Sequence, residues 1–245
     1  MPFILRSCLA VGLFALVFLA GSPAARAQSV ARHRHHDHNG RPYYLGPVRV
    51  SVGAGTGFYN GDLGNRLGDN FLGPALNLGV LYGLGPHWRV GAELGYLALG
   101  ARDQLPSRGL AFHSDNGLGT VFLRYDLLGD PSAYATFPGP ARRVQPFVQA
   151  GAGLLLYNPR AYHGTEAPNA NTGYLPTERN DYPALAGVLP VGAGVVVPLT
   201  DRFNLTLEGN YYFTTTDNLD DISLRGNPSQ KDGFGTLLLK LDCAL

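Results

Sequence analysis

The stretch Phe203-Asn204-Leu205-Thr206-Leu207-Glu208-Gly209-Asn210-Tyr211-Tyr212-Phe213 alternates between two kinds of side chain. Its odd-numbered positions are apolar or glycine, and its even-numbered positions are mostly polar. A repeat of two residues is typical of a β-strand whose two faces meet different surroundings. The stretch therefore predicts one strand of an antiparallel sheet that separates an apolar environment from a polar one.

The same alternation recurs in seven further stretches, at residues 48–59, 74–83, 88–100, 117–127, 145–157, 185–197 and 234–245. Each stretch is about 10 to 14 residues long, close to the length that a tilted strand needs to cross a bilayer. Long polar connections follow the first, third, fifth and seventh stretches, whereas short turns follow the second and sixth. This asymmetry is typical of outer-membrane barrels. The sequence predicts an all-β fold, an eight-stranded antiparallel up-and-down transmembrane β-barrel.

Composition favours the membrane form of this barrel over a soluble one. Only 15% of the residues are charged and 33 are glycine, so the polar face is sparse in charge and rich in glycine. The interior of an eight-stranded barrel is just wide enough for side chains, which favours glycine and a few paired charges there. A soluble lipocalin-like carrier, with its apolar face inward, stays open as an alternative.

The N-terminus has the organisation of a cleaved signal peptide. Arg6 precedes an apolar run over residues 9–20, and Ala25-Arg26-Ala27 supplies the small-x-small pattern that a signal peptidase reads. We expect a signal peptide at 1–27, a His-rich periplasmic linker at 28–46 and the barrel at 47–245. The expected location is the outer membrane of a Gram-negative bacterium, reached behind the cleaved signal.

Charge and cysteine content exclude two classes of protein. Removal of the two signal arginines takes the formal charge from +1 to −1, which argues against binding to nucleic acid. The mature chain keeps one cysteine, Cys243, so it cannot be a scaffold built on internal disulfides.

One short motif resembles a known family. Gly55-Thr56-Gly57-Phe58-Tyr59-Asn60-Gly61-Asp62-Leu63 is similar to the start of an uncharacterised outer-membrane β-barrel family, whose first strand ends in Tyr-x-Gly-Asp-Leu. More generally, the chain from Val48 to Leu245 resembles the small OmpA-like and OmpX-like barrels. Such barrels usually end in an aromatic residue, whereas this chain ends in Leu245. The resemblance implies the barrel fold and brings no catalytic residues.

Charged residues on the predicted inner face are the first candidate site. Glu208 lies about six residues after one short turn and Lys240 lies five before the C-terminus, so the two are expected to pair at similar depth. Glu93 and Arg124 are expected at comparable positions on the third and fourth strands. Four further charges are expected to extend this lumen network: Arg49, Arg89, Asp126 and Asp242. Pairing is required because an isolated buried charge is costly. A purely structural network and a gate in a narrow ion path both meet that requirement.

A histidine cluster in the predicted linker is the second candidate site. Imidazole is a ligand for Zn, Ni and Cu, and the cluster comprises His33, His35, His36 and His38. Its spacing matches no structural zinc site, so a solvated linker is the favoured interpretation.

The sequence gives little support for catalysis. His113-Ser114-Asp115 is predicted to lie in an external loop, where adjacent residues seldom hold a base within reach of a nucleophile. We expect a non-enzymatic protein without cofactors, of structural or binding type, with a largely packed lumen. Its expected partners are outer-membrane lipid and lipopolysaccharide, the barrel-assembly machinery, and an unknown protein at the external loops. A narrow channel for ions or small solutes and a conduit for hydrophobic ligands remain alternatives.

Overall fold

The computed structural model describes residues 34–37, 39–61, 67–103, 109–129, 133–134, 144–216, 218–222 and 232–245. The predicted signal peptide, His33, His38 and most of residues 128–144, which connect the fourth and fifth predicted strands, lie outside the described residues. No helix within the described residues is long and apolar enough to cross a membrane.

The described residues include the following strands and a short 3₁₀ helix. They are β1 (His35–His36), β2 (Pro42–Tyr43), β3 (Arg49–Asn60), the 3₁₀ helix (Leu67–Asp69), β4 (Gly73–Gly83), β5 (Trp88–Arg102), β6 (Leu110–Asp126), β7 (Gln145–Tyr157), β8 (Pro159–His163), β9 (Ala184–Pro198), β10 (Phe203–Thr214) and β11 (Gly233–Ala244). Each of the eight predicted strands matches one of the long strands. β8 is the continuation of β7 beyond Asn158, and β1 with β2 makes a separate hairpin.

The eight long strands form a closed antiparallel barrel. The hydrogen-bonded order is β5-β4-β3-β11-β10-β9-β7-β6, and pairing of β6 with β5 closes the sheet. The first and last strands share a seam that runs from Arg49 opposite Ala244 to Asn60 opposite Gly233. The predicted fold class, an eight-stranded antiparallel up-and-down barrel, is confirmed. We call the end with the 84–87 and 199–202 turns the short-turn end, and the opposite one the loop end.

The outer surface of the barrel is a continuous apolar band. Leu94 is 71% exposed and Leu185 is 68% exposed, although both are large aliphatic side chains in regular strands. Aromatic side chains lie towards both ends of this surface. The short-turn end carries Tyr82, Trp88, Tyr125 and Phe203, and the loop end carries Phe58, Tyr96, Tyr211 and Phe213. Trp88 and Tyr96 lie on one strand about 26 Å apart at about 3.3 Å per residue, which is a span suited to a tilted membrane strand.

At the loop end, β5 and β6 extend further than the sequence predicts. β6 begins at Leu110 rather than Gly117, β5 continues to Arg102, and β8 pairs with the added part of β6. The prediction that His113-Ser114-Asp115 lies in a loop is therefore wrong. The regular apolar alternation fades above Gly117 because the outward side chains there are polar, and only the backbone pairing continues the strand.

The described part of the predicted linker is a small hairpin. His35 pairs with Tyr43 across it, and the Asp37 carboxylate accepts hydrogen bonds from the backbone N–H groups of Asn39 and Arg41. Tyr44 donates its N–H to the carbonyl oxygen of Ala133 at 2.9 Å. This segment thus has regular structure and is bonded to the connection between β6 and β7.

Pro190 lies inside β9 with its side chain turned into the barrel. Paired residues on β7 and β9 stop at Ala150 with Val191 and resume at Gly153 with Val188. Since proline has no N–H, the ladder is locally weakened at this point. The pairing of Tyr212 with Pro190 keeps β9 joined to β10.

Candidate functional site

Two acids and two bases meet in the middle of the lumen. We call this set, Glu93, Arg124, Glu208 and Lys240, the charge cluster. Glu208 lies opposite Leu238 and Lys240 lies opposite Thr206, so these two inward side chains are diagonal neighbours on β10 and β11. Long side chains bridge such a diagonal. Lys240 Nζ donates to Glu208 Oε1 at 2.6 Å.

Lys240 also reaches across the lumen to β5. Its Nζ donates to Glu93 Oε1 at 2.7 Å, and its side chain is only 1% exposed. Arg124 on β6 approaches Glu208 from the other side, with Nη2 donating to Glu208 Oε2 at 2.8 Å. Glu208 therefore has a different cation on each carboxylate oxygen. The cluster has no net formal charge, as a site taken out of water requires.

Amide side chains complete the hydrogen bonding of the cluster. Asn210 donates to Glu208 Oε1 at 2.7 Å, and Gln149 accepts from Arg124 Nε at 3.0 Å. Gln149 in turn donates to Asn210 Oδ1 at 2.9 Å. These contacts make a closed ring of donors and acceptors, which stabilises buried charge because few of its polar atoms lose hydrogen bonds.

The Arg124 guanidinium also lies over an aromatic ring. Its Cζ is 3.8 Å from the ring centroid of Phe147 and 5.6 Å from that of Phe122. A guanidinium stacks well on a ring face, and the attraction increases where water is excluded. The hydrogen-bonded side chains of the charge cluster therefore pack against the apolar side chains of Phe147 and Phe122 within the lumen.

The predicted network does not form one continuous system. Arg89 Nε donates to Asp126 Oδ2 at 2.6 Å, as a separate pair nearer the short-turn end. Asp242 accepts a hydrogen bond from Thr206 Oγ1, and Arg49 Nη1 donates to the carbonyl oxygen of Arg202 at 3.5 Å. The structure thus brings four of the eight predicted residues into the cluster and places the other four nearer the short-turn end.

The position of Arg124 differs from the expected one. Arg124 lies opposite Arg89, and Glu93 lies opposite Thr120, so Glu93 and Arg124 are not at the same depth on neighbouring strands. Their salt bridges go to the far side of the lumen instead, where Glu208 and Lys240 lie. The amides of the ring were not predicted. Their one signal in the sequence is that Gln149 and Asn210 are polar residues at inward positions of β7 and β10.

Glycines on the inner face leave the space that these side chains occupy. A Cβ added at Gly53 would lie 2.4 Å from Asn77 Oδ1 and 2.7 Å from Lys240 Cγ. A Cβ at Gly194 would lie 2.5 Å from Cζ of Phe147. The glycine-rich inner face is thus a consequence of close approach by large side chains on the neighbouring strands, since Asn77 and Lys240 lie directly opposite Gly53 in the register and Phe147 lies directly opposite Gly194.

The lumen beyond the charge cluster, towards the loop end, is mainly apolar, with a few buried polar side chains such as Ser114, Asn116 and Thr236. We call this part the apolar half, and the part from the cluster to the short-turn end the polar half. The apolar half is a packed set of buried side chains that includes Leu97, Leu99, Phe112, Leu155, Tyr157, Val188, Tyr212, Phe234 and Leu238. The rings of Tyr212 and Phe234 are stacked with centroids 4.5 Å apart.

Residues of the connection between β10 and β11 cover the apolar half. Leu219 and Ile222 are both buried against it. The Tyr59 hydroxyl on β3 is hydrogen bonded to Asp220 Oδ2 at 2.9 Å and to Asp232 Oδ1. These bonds fix the described part of the connection over the lumen, so the barrel is filled at two levels and covered at the loop end.

The His113-Ser114-Asp115 triplet is divided between the two faces of β6. His113 and Asp115 point outward, with His113 Nε2 3.6 Å from Asp115 Oδ1. Ser114 points into the barrel, is fully buried, and donates to Asn116 Oδ1 at 2.8 Å. A serine nucleophile needs its base within hydrogen-bond reach, and strand alternation prevents that here.

The histidine cluster is only partly described. His35 and His36 lie on neighbouring positions of β1, and the ring of His35 is stacked on that of Tyr43 at 5.6 Å. Across the described ranges, no group of three or more His, Cys, Asp or Glu side chains could hold a metal ion. Metal binding by His33, His35, His36 and His38 remains a prediction.

Comparison with known proteins gives matches among solved structures alone. No family model matches the chain, and no curated protein matches it. The chain is similar to neisserial surface protein A, NspA, with 13% identity and a TM-score of 0.47 over 82% of this chain and 99% of that one. For Ail, the attachment invasion locus protein of Yersinia pestis, the identity is 13% and the TM-score 0.43, over 82% and 99% of the two chains. For OprG of Pseudomonas aeruginosa the values are 11% and 0.42, over 82% and 98%.

Proposed function

We propose that this chain is a non-enzymatic outer-membrane barrel of structural or binding type, whose packed lumen does not pass solutes. The observation that carries the proposal is the filling of the lumen at two levels. The charge cluster blocks the polar half with mutually bonded side chains. The aromatic and aliphatic side chains around Phe234 and Leu155 block the apolar half.

The distribution of polarity supports a membrane barrel over a soluble carrier. A lipocalin-like carrier would have an apolar interior and a water-exposed polar wall. Here the wall is apolar on its outside, and the buried side chains of the polar half include charged residues such as Arg124 and Lys240. An exterior of this kind in water would expose far more contiguous apolar surface than soluble monomers do. A bilayer is the environment that such a wall matches.

This proposal assigns an orientation to the barrel. Short turns of outer-membrane barrels face the periplasm, and long loops face outward. The short-turn end, with the hairpin of β1 and β2, would then be periplasmic, which agrees with entry behind the predicted signal peptide. Outer-membrane lipid and lipopolysaccharide would surround the apolar band, and the barrel-assembly machinery would insert it. The loop end would be available to a protein partner.

Fractionation tests the location. The full-length chain, expressed in a Gram-negative host, should be recovered with outer membranes after carbonate washing. It should also migrate faster on gels when it is not boiled, because closed barrels resist detergent unfolding at room temperature. Recovery in the soluble periplasmic fraction would contradict the proposal and support the lipocalin-like alternative.

Liposome swelling and planar bilayers test the lumen. Proteoliposomes with the purified barrel should show no solute-dependent swelling. Glu93→Gln is the informative variant, because it weakens one contact of Lys240 and leaves the pair with Glu208 in place. A packed barrel predicts a closed trace for both proteins, since the apolar half still fills the lumen. A stepwise current, larger in the variant, would favour the narrow channel.

A further inference from the structure

A small cavity lies in the lumen where the charge cluster meets the apolar half. Its volume is about 20 Å³. Leu97 and Leu238 are among the apolar residues that line it, but a large part of the lining is polar and comes from five different strands. The polar side chains are those of Asn77 on β4, Glu93 on β5, Thr120 on β6, Tyr212 on β10 and Thr236 on β11.

An inward position without a side chain borders this cavity. Gly95 lies on β5 between Asn77 on β4 and Leu118 on β6, which are its partners in the register. A Cβ at Gly95 would lie 3.7 Å from Asn77 Cβ and 3.9 Å from Leu118 Cβ, which are ordinary contacts. At Gly53, in contrast, the neighbouring side chains already occupy the place of a Cβ. The neighbours of Gly95 therefore leave the space in front of it unfilled.

Two polar atoms of residues that line the cavity lack a hydrogen bond. Thr236 is 3% exposed, and its Oγ1 has no partner within the described part of the chain. Asn77 Oδ1 is also buried and has no partner among the described residues. Buried polar atoms are nearly always hydrogen bonded, because an unpaired one loses its bonds to water and gains nothing in return. These two atoms therefore point to a small polar ligand.

The orientation of the Asn77 amide is fixed by its other contact. Its Nδ2 donates to Glu93 Oε2 at 2.8 Å. A carboxylate that already accepts from Lys240 can only accept, so the amide cannot be turned to exchange its nitrogen and oxygen. Asn77 Oδ1 thus requires a donor, whereas the Thr236 hydroxyl can both donate and accept.

We propose that this cavity binds a single water molecule, which donates to Asn77 Oδ1 and accepts from Thr236 Oγ1. A cavity needs about 10–15 Å³ and two to four polar partners to hold one water. The volume here meets that requirement for one molecule, and Glu93 and Tyr212 offer further partners in the lining. A cavity lined by apolar side chains alone would stay dry, but this one is not of that kind.

A monovalent cation also binds oxygen atoms, but it is a less suitable occupant. The two acids and two bases of the charge cluster already balance, so an added cation would leave an excess positive charge out of water. A water molecule adds no charge. It also opens no path for solutes, since Phe234 and Leu155 still fill the lumen towards the loop end.

Thr236→Val tests the proposal through the sign of its effect on stability. The change replaces the hydroxyl by a methyl group and keeps the branched shape. With water in the cavity, the variant loses a hydrogen bond, and its urea unfolding midpoint in lipid vesicles should fall below that of the wild type. In a dry cavity, the change removes an unpaired buried hydroxyl, and the midpoint should rise. A rise, or no change, would overturn the proposal.

Thr206→Val is the matched control. Thr206 is another buried, inward threonine, and its hydroxyl donates to Asp242 Oδ2. Its midpoint should fall whether or not the cavity holds water, and this fall gives the size of shift for one lost hydrogen bond. The shift of Thr236→Val should have the same sign and a comparable size.

A crystal structure of the full-length barrel, at a resolution that shows ordered water, gives the direct measurement. One peak of solvent density should lie about 2.5–3.0 Å from both Asn77 Oδ1 and Thr236 Oγ1, and it should disappear in Thr236→Val. No density in the wild type, or the continuous density of a detergent chain, would overturn the proposal.

Replacement of sodium by choline at equal ionic strength distinguishes water from a cation. The urea midpoint of the wild type should be the same in both salts. A midpoint that falls in choline for the wild type, but not for Thr236→Val, would identify the occupant as a cation and overturn the proposal. A dry cavity would leave the proposed function intact, whereas solute flux through the wild type would contradict that function alone.

Discussion

The polar half and the apolar half of the lumen fill the same barrel by different means. In the polar half, Arg124, Glu208 and Lys240 are held by directed bonds of 2.6 to 2.8 Å. In the apolar half, side chains such as Leu155 and Phe234 are held by shape and exclusion from water. The eight strands present the same geometry to both halves, so the difference lies wholly in the inward side chains.

The contrast shows that each half has its own mode of failure. Loss of one partner in the polar half leaves a buried charge without compensation, and the penalty is electrostatic. Loss of volume in the apolar half leaves a cavity, and the penalty depends on how far the neighbours can relax. Variants in the two halves should therefore differ in size of effect and in what restores stability.

The largest effect is expected for Glu208→Leu. This change removes the carboxylate shared by Lys240 and Arg124, and breaking a buried pair from one side costs about 3–5 kcal/mol of unfolding free energy. Urea unfolding of the barrel in lipid vesicles measures it. Glu166→Gln, at an exposed loop position, is the control and should stay within about 0.5 kcal/mol of the wild type. A loss below about 1 kcal/mol in Glu208→Leu would show that water reaches the cluster.

Leu155→Ala should have the next largest effect. Its side chain is fully buried in the apolar half, and truncation of such a leucine costs about 3 kcal/mol. The neighbouring Leu154 points outward on the same strand, so Leu154→Ala should cost less than about 1 kcal/mol, because lipid replaces the lost contacts. Equal losses for the two variants would mean that the apolar half is not tightly packed.

Arg124→Lys tests the geometry of the polar half at constant charge. A lysine can keep a salt bridge to Glu208 but loses the bond to Gln149 and the stacking on Phe147. We expect a loss of about 1–2 kcal/mol in the same unfolding experiment, since arginine and lysine are not equivalent at a stacked site. Arg202→Lys at an exposed turn should be neutral. An Arg124→Lys variant as stable as the wild type would show that the charge cluster depends on charge balance alone.

The smallest effect is expected for Tyr59→Phe. This change removes the hydroxyl bonded to Asp220 and Asp232 and should cost about 1 kcal/mol, mainly in local opening of the cover at 218–222. Limited proteolysis of the intact barrel, added from the loop end, should cut this connection faster in the variant. Tyr82→Phe removes a hydroxyl from an exposed tyrosine at the short-turn end and serves as the control. Unchanged cleavage of Tyr59→Phe would show that apolar contacts of Leu219 and Ile222 hold the cover without it.

The alternation of apolar and polar residues predicts most of the barrel, because each strand has one face on the apolar outer surface and one face in the lumen. β7 runs from Gln145 to Tyr157 in the structure, and the sequence predicts the same bounds. β6 is extended by seven residues because its upper outward positions carry Asp115 and His113, which erase the apolar signal. The upper part of β6 is a strand because its backbone pairs with those of β5 and β8. The sequence of β6 alone gives no signal of this pairing.

The candidate site is predictable only where chain neighbours form it. Glu208 and Lys240 lie on adjacent strands joined late in the chain, so counting from the turn and the terminus places them together. Arg124 forms a salt bridge across the lumen with Glu208, which lies 84 residues away in the sequence. That contact depends on the closure of the barrel and on the space left at Gly194 and Gly53. Counting residues from the turn between two neighbouring strands predicts neither of these.

The seam between β3 and β11 has a consequence for biogenesis. Its pairs join residues as far apart as Arg49 and Ala244, and the N–H of Leu245 still bonds to the carbonyl oxygen of Val48. Until the last strand arrives, β3 and the growing edge both carry unpaired backbone groups, which readily template further strands. Contacts this distant in sequence also form slowly. Both edges therefore stay open until β11 pairs with β3, and this one pairing closes the barrel in a single step.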